Sequence, residues 1–262
     1  MNLNLADKPV IVCASSAGLG RAAALEFARE GAHVMLSGRR EKELQLAVAE
    51  IKAETGREAA YTVTDLTKSD DIGQLVEETV RKFGGVFTLV NNSGGPPAGT
   101  FEGFDDAAWQ QAFELNLLSY VRAIRACVPH MRKGGGGRIV NFASSSVKAP
   151  IDSLILSNTF RMGVVGLSKS LSGELGGENI LVNVQAPGRI QTDRIGHLDG
   201  IRAAKSGLTM DQVRAEAIKA IPVGRYGTPR EFAQLTVFLG SPANTYLTGQ
   251  TIVMDGGMVK AY

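Results

Sequence analysis

Two cysteines in 262 residues, Cys13 and Cys127, are too few for a disulfide framework and show no metal-ligand spacing. Each lies in an apolar run, so both read as buried, inert thiols. No excess of one charge is present either: 28 basic side chains face 26 acidic ones along the chain, a net charge of +2. That balance excludes the basic footprint of a nucleic-acid binder or of a protein held on an acidic membrane surface. No apolar run reaches the ~18 residues of a spanning helix. The first stretch, Met1 to Lys8, lacks the basic start and apolar centre of a secretory leader, so a cytoplasmic location is expected. A small-molecule partner remains.

Glycine is plentiful, with 31 residues, many of them in loops where backbone can approach a ligand closely. Val10 to Ala14 is a short continuous apolar run, the mark of a strand covered on both faces of a parallel sheet. A helix follows from about Leu19 to Glu30, with Leu19, Ala23 and Phe27 on one stripe, and Gly31 ends it. The alternation continues: strand His33 to Ser37, helix Glu41 to Thr55, strand Ala59 to Val63, helix Ser69 to Phe83, strand Val86 to Val90. One long helix is expected from Asp105 to Arg132, with Trp109, Phe113, Leu117, Val121, Ile124 and Val128 on its buried face. A strand Arg138 to Phe142, a helix over 155–175 and strands Ile180 to Val184 and Gln250 to Met254 complete the pattern. Strands joined by right-handed helical crossovers predict an α/β fold: one Rossmann-type, doubly wound parallel sheet of about seven strands with helices on both faces. No linker or repeat divides residues 1–262, so a single domain is expected.

The turn Ala14-Ser15-Ser16-Ala17-Gly18-Leu19-Gly20 lies between a strand and a helix, the context a dinucleotide fingerprint requires. Gly18 and Gly20 allow close approach to a pyrophosphate, and the helix start offers unpaired N–H groups, although a merely tight turn would read the same. The end of the second strand carries Gly38 followed by Arg39 and Arg40, where NAD users tend to place an acidic residue. A guanidinium there favours a 2′-phosphate, so NADP(H) is expected over NAD(H), unless the two arginines simply begin a solvated helix.

These landmarks resemble the short-chain dehydrogenase/reductase family, in particular its 3-oxoacyl-acyl-carrier-protein reductases. The first turn is similar to the family's Thr-Gly-x-x-x-Gly-x-Gly, with Cys13 and Ala14 replacing the Thr and first Gly; the added methyl of Ala14 is expected to need only slight adjustment. Asn91-Asn92-Ser93-Gly94 resembles the Asn-Asn-Ala-Gly motif that passes beside the adenine ribose and braces the sheet. Asp65, next to Leu66, matches an adenine-contacting Asp, and as a lone residue serves equally as a helix cap. Pro187-Gly188-Arg189-Ile190-Gln191-Thr192 resembles the loop whose positions at Ile190 and Thr192 meet the nicotinamide carboxamide. The polar stretch 193–221 is read as a substrate lid. The resemblance implies a cofactor site of Ser15, Ser16, Gly18, Leu19, Gly20, Arg39, Arg40, Asp65, Leu66, Asn92, Ser93, Gly94, Arg161, Pro187, Gly188, Ile190 and Thr192.

Gly137 to Leu171 resembles the family's catalytic stretch, where a Ser ends a strand and a Tyr-x-x-x-Lys follows on the next helix. Counting forward from Ser144, or back from Gly166-Leu167-Ser168-Lys169, lands on Ser157-Asn158-Thr159-Phe160-Arg161. Residues 145–165 contain no Tyr, and their only Lys is Lys148, four positions past Ser144. Of the family's tetrad, Asn116 and Ser144 are kept while Ser157 and Arg161 replace Tyr and Lys. An aliphatic hydroxyl is a far weaker acid than a phenol of pKa ~10, and a guanidinium of pKa ~12.5 or more passes no proton readily. Arg161 can still stabilise a developing alkoxide. The proton is then sought from water, from an acidic group of the substrate, or from His197 on the lid; Tyr120, one helical turn past Asn116, is expected to pack rather than react.

Two readings follow: an NADP(H)-dependent oxidoreductase acting on a carbonyl, alcohol or acyl-thioester substrate through an altered proton-handling site, or an NADP(H)-binding sensor or partner subunit with little turnover. The resemblance further implies a homo-oligomer, dimer or tetramer, paired through the two long helices.

Overall fold

Seven parallel strands form one sheet in the order β3-β2-β1-β4-β5-β6-β7: β1 Pro9–Val12, β2 His33–Gly38, β3 Ala59–Val63, β4 Thr88–Asn91, β5 Gly137–Phe142, β6 Ile180–Pro187 and β7 Thr251–Met254. The computed structural model describes residues 2–261. Side chains alternate across the pleat, so Val10 and Val12 enter one core with Val34, Leu36, Val90 and Val140, while Ile11 and Cys13 enter the other with Met35, Leu89 and Ile139. Because both faces are covered there, Val10 to Val12 in β1 and Val34 to Leu36 in β2 read as unbroken apolar runs.

Helices α1 Gly18–Arg29, α2 Glu41–Thr55 and α9 Pro229–Leu239 contribute to the first core. Helices α3 Ser69–Phe83, α5 Ser119–Lys133 and α6 Ile155–Leu175 contribute to the second. Cys13 and Cys127 are buried there, and burial pushes the Cys13 thiol up to about 12. Asn91 Nδ2 donates to Asn141 Oδ1 at 2.8 Å, and Asn141 Nδ2 to Ser168 Oγ at 2.8 Å, tying β4, β5 and α6 together through satisfied polar groups.

The expected helix over 105–132 is interrupted. Helix α4 Asp106–Phe113 passes into a π-helical turn, Glu114–Leu118, before α5 begins. Asn116 Nδ2 donates to Ala112 O at 3.2 Å and Ser119 Oγ to Leu115 O at 2.6 Å, side-chain bonds that compete for the helix carbonyls. The stripe predicted for burial is uneven as a result: Ile124 and Val128 are buried, while Trp109, Phe113, Leu117 and Val121 are only half-buried.

The polar stretch read as a lid is itself helical, forming α7 Asp193–Ser206 and α8 Met210–Lys219. Helix α9 was not foreseen, although Thr228 and Glu231 form a capping box with Pro229 in the first turn. Among the described residues no helix is long and apolar enough to cross a membrane, and no group of three His, Cys, Asp or Glu is placed to hold a metal ion.

Sheet order reverses between β1 and β4, which pair in register from Val10–Thr88 to Val12–Val90. Connections leave these two strands in opposite directions, opening a crevice beyond their carboxyl ends.

Candidate active site

Two adjoining cavities occupy that crevice. The first, about 320 Å³, is lined by Ala14, Ser16 to Leu19, Asn92 to Gly95, Pro187, Gly188, Ile190 and Thr192 to Ile195. Helix α1 starts at its edge with no side-chain cap on its N-terminus and no acidic residue in its first turn, leaving first-turn N–H groups to a ligand or solvent. The opening is kept by close packing behind it: a Cβ on Gly20 would lie 2.5 Å from Ala14 O and 2.9 Å from Asn92 Nδ2. Asn92 Nδ2 donates to Ala14 O at 3.1 Å, so the turns after β1 and β4 are locked together.

Ala14 itself departs from the expected slight adjustment. Its φ is 46°, in the left-handed region that disfavours any residue with a Cβ. The turn is formed, with backbone strain at the position where the resembling motif has glycine.

The other residues proposed for this site divide by placement. Ser16, Gly18, Leu19, Asn92, Ser93, Gly94, Pro187, Gly188, Ile190 and Thr192 line the first cavity. Leu19 is half-buried: it packs against the first core beside Ala23 and Phe27 and also lines the cleft. Ser15 and Gly20 lie behind the wall: Ser15 Oγ donates to Val12 O at 2.7 Å and accepts from Ser37 N at 3.0 Å. Ile190 is buried with its side chain in the first core, and Thr192 caps α7, accepting from Ile195 N at 3.4 Å. Leu66 packs into the second core.

Asp65 Oδ1 accepts from Thr67 N at 3.0 Å and Thr67 Oγ1 at 2.8 Å, a local turn rather than a presented carboxylate. Partial burial raises the Asp65 pKa, but the two Thr67 bonds, with Arg39 and Lys68 nearby, outweigh it and hold the carboxyl below its usual range. At the end of β2, Arg40 pairs with Glu43 at 3.1 Å, whereas Arg39 is exposed and has no hydrogen bond or ion pair among the described residues. Of the two arginines, Arg39 is the one free to grip a ligand phosphate.

The second cavity, about 340 Å³, opens beside the first and shares with it Leu19, Asn92, Ser93, Gly95, Pro187, Gly188, Arg194 and Ile195. Ser144, Ser157 and Arg161 all face into it. The β5 strand delivers Ser144, and Ser157 and Arg161 lie one turn apart on the same face of α6. Ser144 Oγ accepts from Ser146 N at 3.2 Å, which leaves its proton to donate. The Ser157 hydroxyl has no hydrogen-bond partner among the described residues.

Arg161, 5% exposed, donates from Nη1 to Tyr120 Oη at 2.8 Å and to Phe142 O at 3.0 Å, and from Nη2 to Ser93 Oγ at 3.5 Å. Ser93 Oγ in turn donates to Asn116 Oδ1 at 3.4 Å. Asn116 is fully buried on the π-helical turn and reaches the cavity only through Ser93. Tyr120 is 1% exposed, outside the cavity lining, and its hydroxyl donates to Phe142 O at 3.0 Å. Its position beneath Arg161 makes it an anchor for the guanidinium. His197 is exposed and lines neither cavity, so this structure does not bring it to the site.

Sequence reasoning passed over Arg194. It is the second residue of α7 and crosses the cleft to donate to Pro96 O at 2.7 Å. Its only sequence signal was its place just after the Thr192 cap, inside a segment crowded with surface charges.

Residues 13–259 match the family described as Enoyl-(Acyl carrier protein) reductase. The chain is 32% identical over 258 residues to the 3-oxoacyl-[acyl-carrier-protein] reductase of Chlamydia muridarum, covering 98% of this chain and all of that protein. It is 35% identical over 258 residues to the Dehydrogenase/reductase SDR family member 4 of Bos taurus, covering 98% and 88%. The L-sorbose reductase of Gluconobacter frateurii, solved with NADPH and L-sorbose, superposes with a TM-score of 0.94 at 32% identity over the full length of both chains. With the switch-point crevice, the two locked turns and similarity over nearly its whole length, the chain belongs to the short-chain dehydrogenase/reductase family.

Proposed function

We propose that the protein is an NADP(H)-dependent oxidoreductase that interconverts a carbonyl and an alcohol, with a proton-handling site that uses no tyrosine. The carrying observation is the meeting of two cavities at the switch point, one bounded by the uncapped start of α1 and the other by Ser144, Ser157 and Arg161. A dinucleotide fits the residues present: open N–H groups for its pyrophosphate, Asn92 to Gly94 for its ribose side, the Pro187 to Thr192 loop for its nicotinamide, and Arg39 for a 2′-phosphate. When bound, the cofactor supplies the hydride donor or acceptor. The solved L-sorbose reductase contains NADPH, which supports the same choice here.

In this reading Ser144 donates a hydrogen bond to the substrate oxygen, and Arg161 stabilises the negative charge that develops there. Ser93 and Asn116 steady Arg161 from behind. Ser157 keeps the wall polar but is too weak an acid to protonate the oxygen, so water supplies the proton. Helices α7 and α8, over residues 193–221, serve as the lid and so shape the substrate end. The half-buried stripe at Trp109, Phe113, Leu117 and Val121 supports a homo-oligomer, which light scattering tests.

The second reading, a nucleotide-binding sensor or partner subunit, draws on the absence of any phenol from the second cavity among the described residues. Site variants separate the two. Arg161→Ala should lower turnover of a reduced carbonyl far more than it lowers NADPH affinity, and Ser157→Ala should cost less than Arg161→Ala. Equal, unchanged rates in both variants would remove these residues from the reaction centre. Arg39→Asp should shift preference from NADPH toward NADH; an unchanged preference would take Arg39 away from the 2′-phosphate.

A further inference from the structure

Among the described residues the second cavity is lined by three arginines, Arg161, Arg189 and Arg194, and by no carboxylate. Buried Arg138 is satisfied by the carbonyl oxygens of Gly137, Asn179 and Asn244, whereas Arg21, Arg29, Arg57, Arg132, Arg202 and Arg225 each meet an Asp or Glu. Arg189 follows that pattern, held by Asp199 at 2.5 Å and by Tyr226 Oη at 3.2 Å. Arg161 and Arg194 do not. Among the described residues every partner of Arg161 is a neutral oxygen, and Arg194 meets only the carbonyl of Pro96.

Two guanidiniums are therefore held near each other, largely out of water, with no ion-pair partner among the described residues. Burial and then the charge of Arg161 push the Arg194 guanidinium below its usual range. Such an arrangement is unfavourable until an anion enters. Each guanidinium has five N–H donors, more than its protein partners use, so donors remain for a ligand. Opposite them, Ile151, Leu154, Leu198 and Met258 give the cavity an apolar wall, and the short side chain of Ser157 leaves volume beside Arg161.

We propose that Arg161 and Arg194 form a carboxylate site, and that the substrate is an oxo acid whose carboxylate they hold within the second cavity. This rests on the oxidoreductase reading and narrows its substrate class. A phosphate of the cofactor is the other source of negative charge within reach, because Arg194 also borders the first cavity.

Binding separates the two sources without turnover. Acetoacetate and its uncharged methyl ester, and pyruvate and its methyl ester, are titrated calorimetrically into the whole protein with and without saturating NADP⁺. Each acid should bind at least about tenfold more tightly than its ester, the size expected when charge-assisted hydrogen bonds are lost. Arg194→Gln should bring acid and ester to parity while changing NADP⁺ affinity less than about threefold, and Arg194→Lys should recover part of the difference. Equal affinities of acid and ester in the unaltered protein would overturn the proposal, and that comparison requires no variant to fold. A loss of NADP⁺ affinity in Arg194→Gln with acid binding intact would overturn it too, assigning Arg194 to a cofactor phosphate. Failure of the unaltered protein to bind NADP⁺ would instead strike the oxidoreductase reading.

Discussion

Gly20→Ala is a severe test of the cofactor turn, because the space for its methyl group is already taken. The added Cβ would stand 2.5 Å from Ala14 O, 2.9 Å from Asn92 Nδ2 and 2.9 Å from Ser15 Cα. Two of these are backbone atoms, and Ala14 O is fixed by the bond from Asn92. Relief requires α1 to move away from the turn after β1. Overpacking of this kind costs about 1–3 kcal/mol, and the better helix propensity of alanine returns up to about 1 kcal/mol. A net loss of about 1–2 kcal/mol corresponds to a fall in Tm of roughly 2–8 °C for a chain of this size. Displacing the start of α1 should also weaken NADPH binding, by about tenfold or more if its N–H groups hold the pyrophosphate. Thermal melts and calorimetric titration measure both effects. A variant with unchanged Tm and unchanged NADPH affinity would refute the argument, whereas unfolding alone would leave only the packing half tested by the melt.

Three further outcomes are expected. Ala14→Gly relieves a positive φ that costs an L-residue about 1–2 kcal/mol, against about 0.5–1 kcal/mol of extra chain entropy, so the melting temperature should rise or hold; a marked fall would contradict the strain. Tyr120→Phe removes the acceptor beneath Arg161 and should cost about 1–2 kcal/mol in denaturant unfolding, yet keep turnover within about tenfold. A loss of a hundredfold or more would instead identify Tyr120 as the missing acid. Arg225, with the Thr228 N–H and hydroxyl, holds the Glu231 carboxyl down at about 2, from an ordinary 4.5. A lowered pKa stabilises the fold above the unfolded value, and that contribution is lost as pH falls from about 4.5 to 2. The Tm gap between the unaltered protein and Glu231→Gln should therefore narrow across that window, and a constant gap would count against the capping box.

The sheet was legible because its strands are buried on both faces, so that Val10 to Val12 and Val34 to Leu36 read as unbroken runs between turn signals. The α1 turn was legible from its glycines, and the tetrad positions from spacing. Helices α7 and α8 were not, because each buries only two residues, Asp199 with Ala203 and Val213 with Ala217, too few to print an amphipathic stripe. Helix α9 carried a readable signature in Thr228-Pro229-Arg230-Glu231 that went unused. The break at Asn116 depends on side chains that bond backward to Ala112 and Leu115, a choice that hydrophobic periodicity does not encode. Arg194 became visible only when folding set it in the same cavity as Arg161, with the nearby Asp199 engaged by Arg189 and Tyr226.

The most direct test of the central claim is to incubate the protein with NADPH carrying deuterium at nicotinamide C4, together with acetoacetate and a panel of other ketones, aldehydes and 3-oxoacyl thioesters. An oxidoreductase predicts loss of absorbance at 340 nm and one deuterium on the carbinol carbon of the alcohol formed. Tight NADPH binding with neither signal across the panel would contradict it and leave a nucleotide-binding protein in its place.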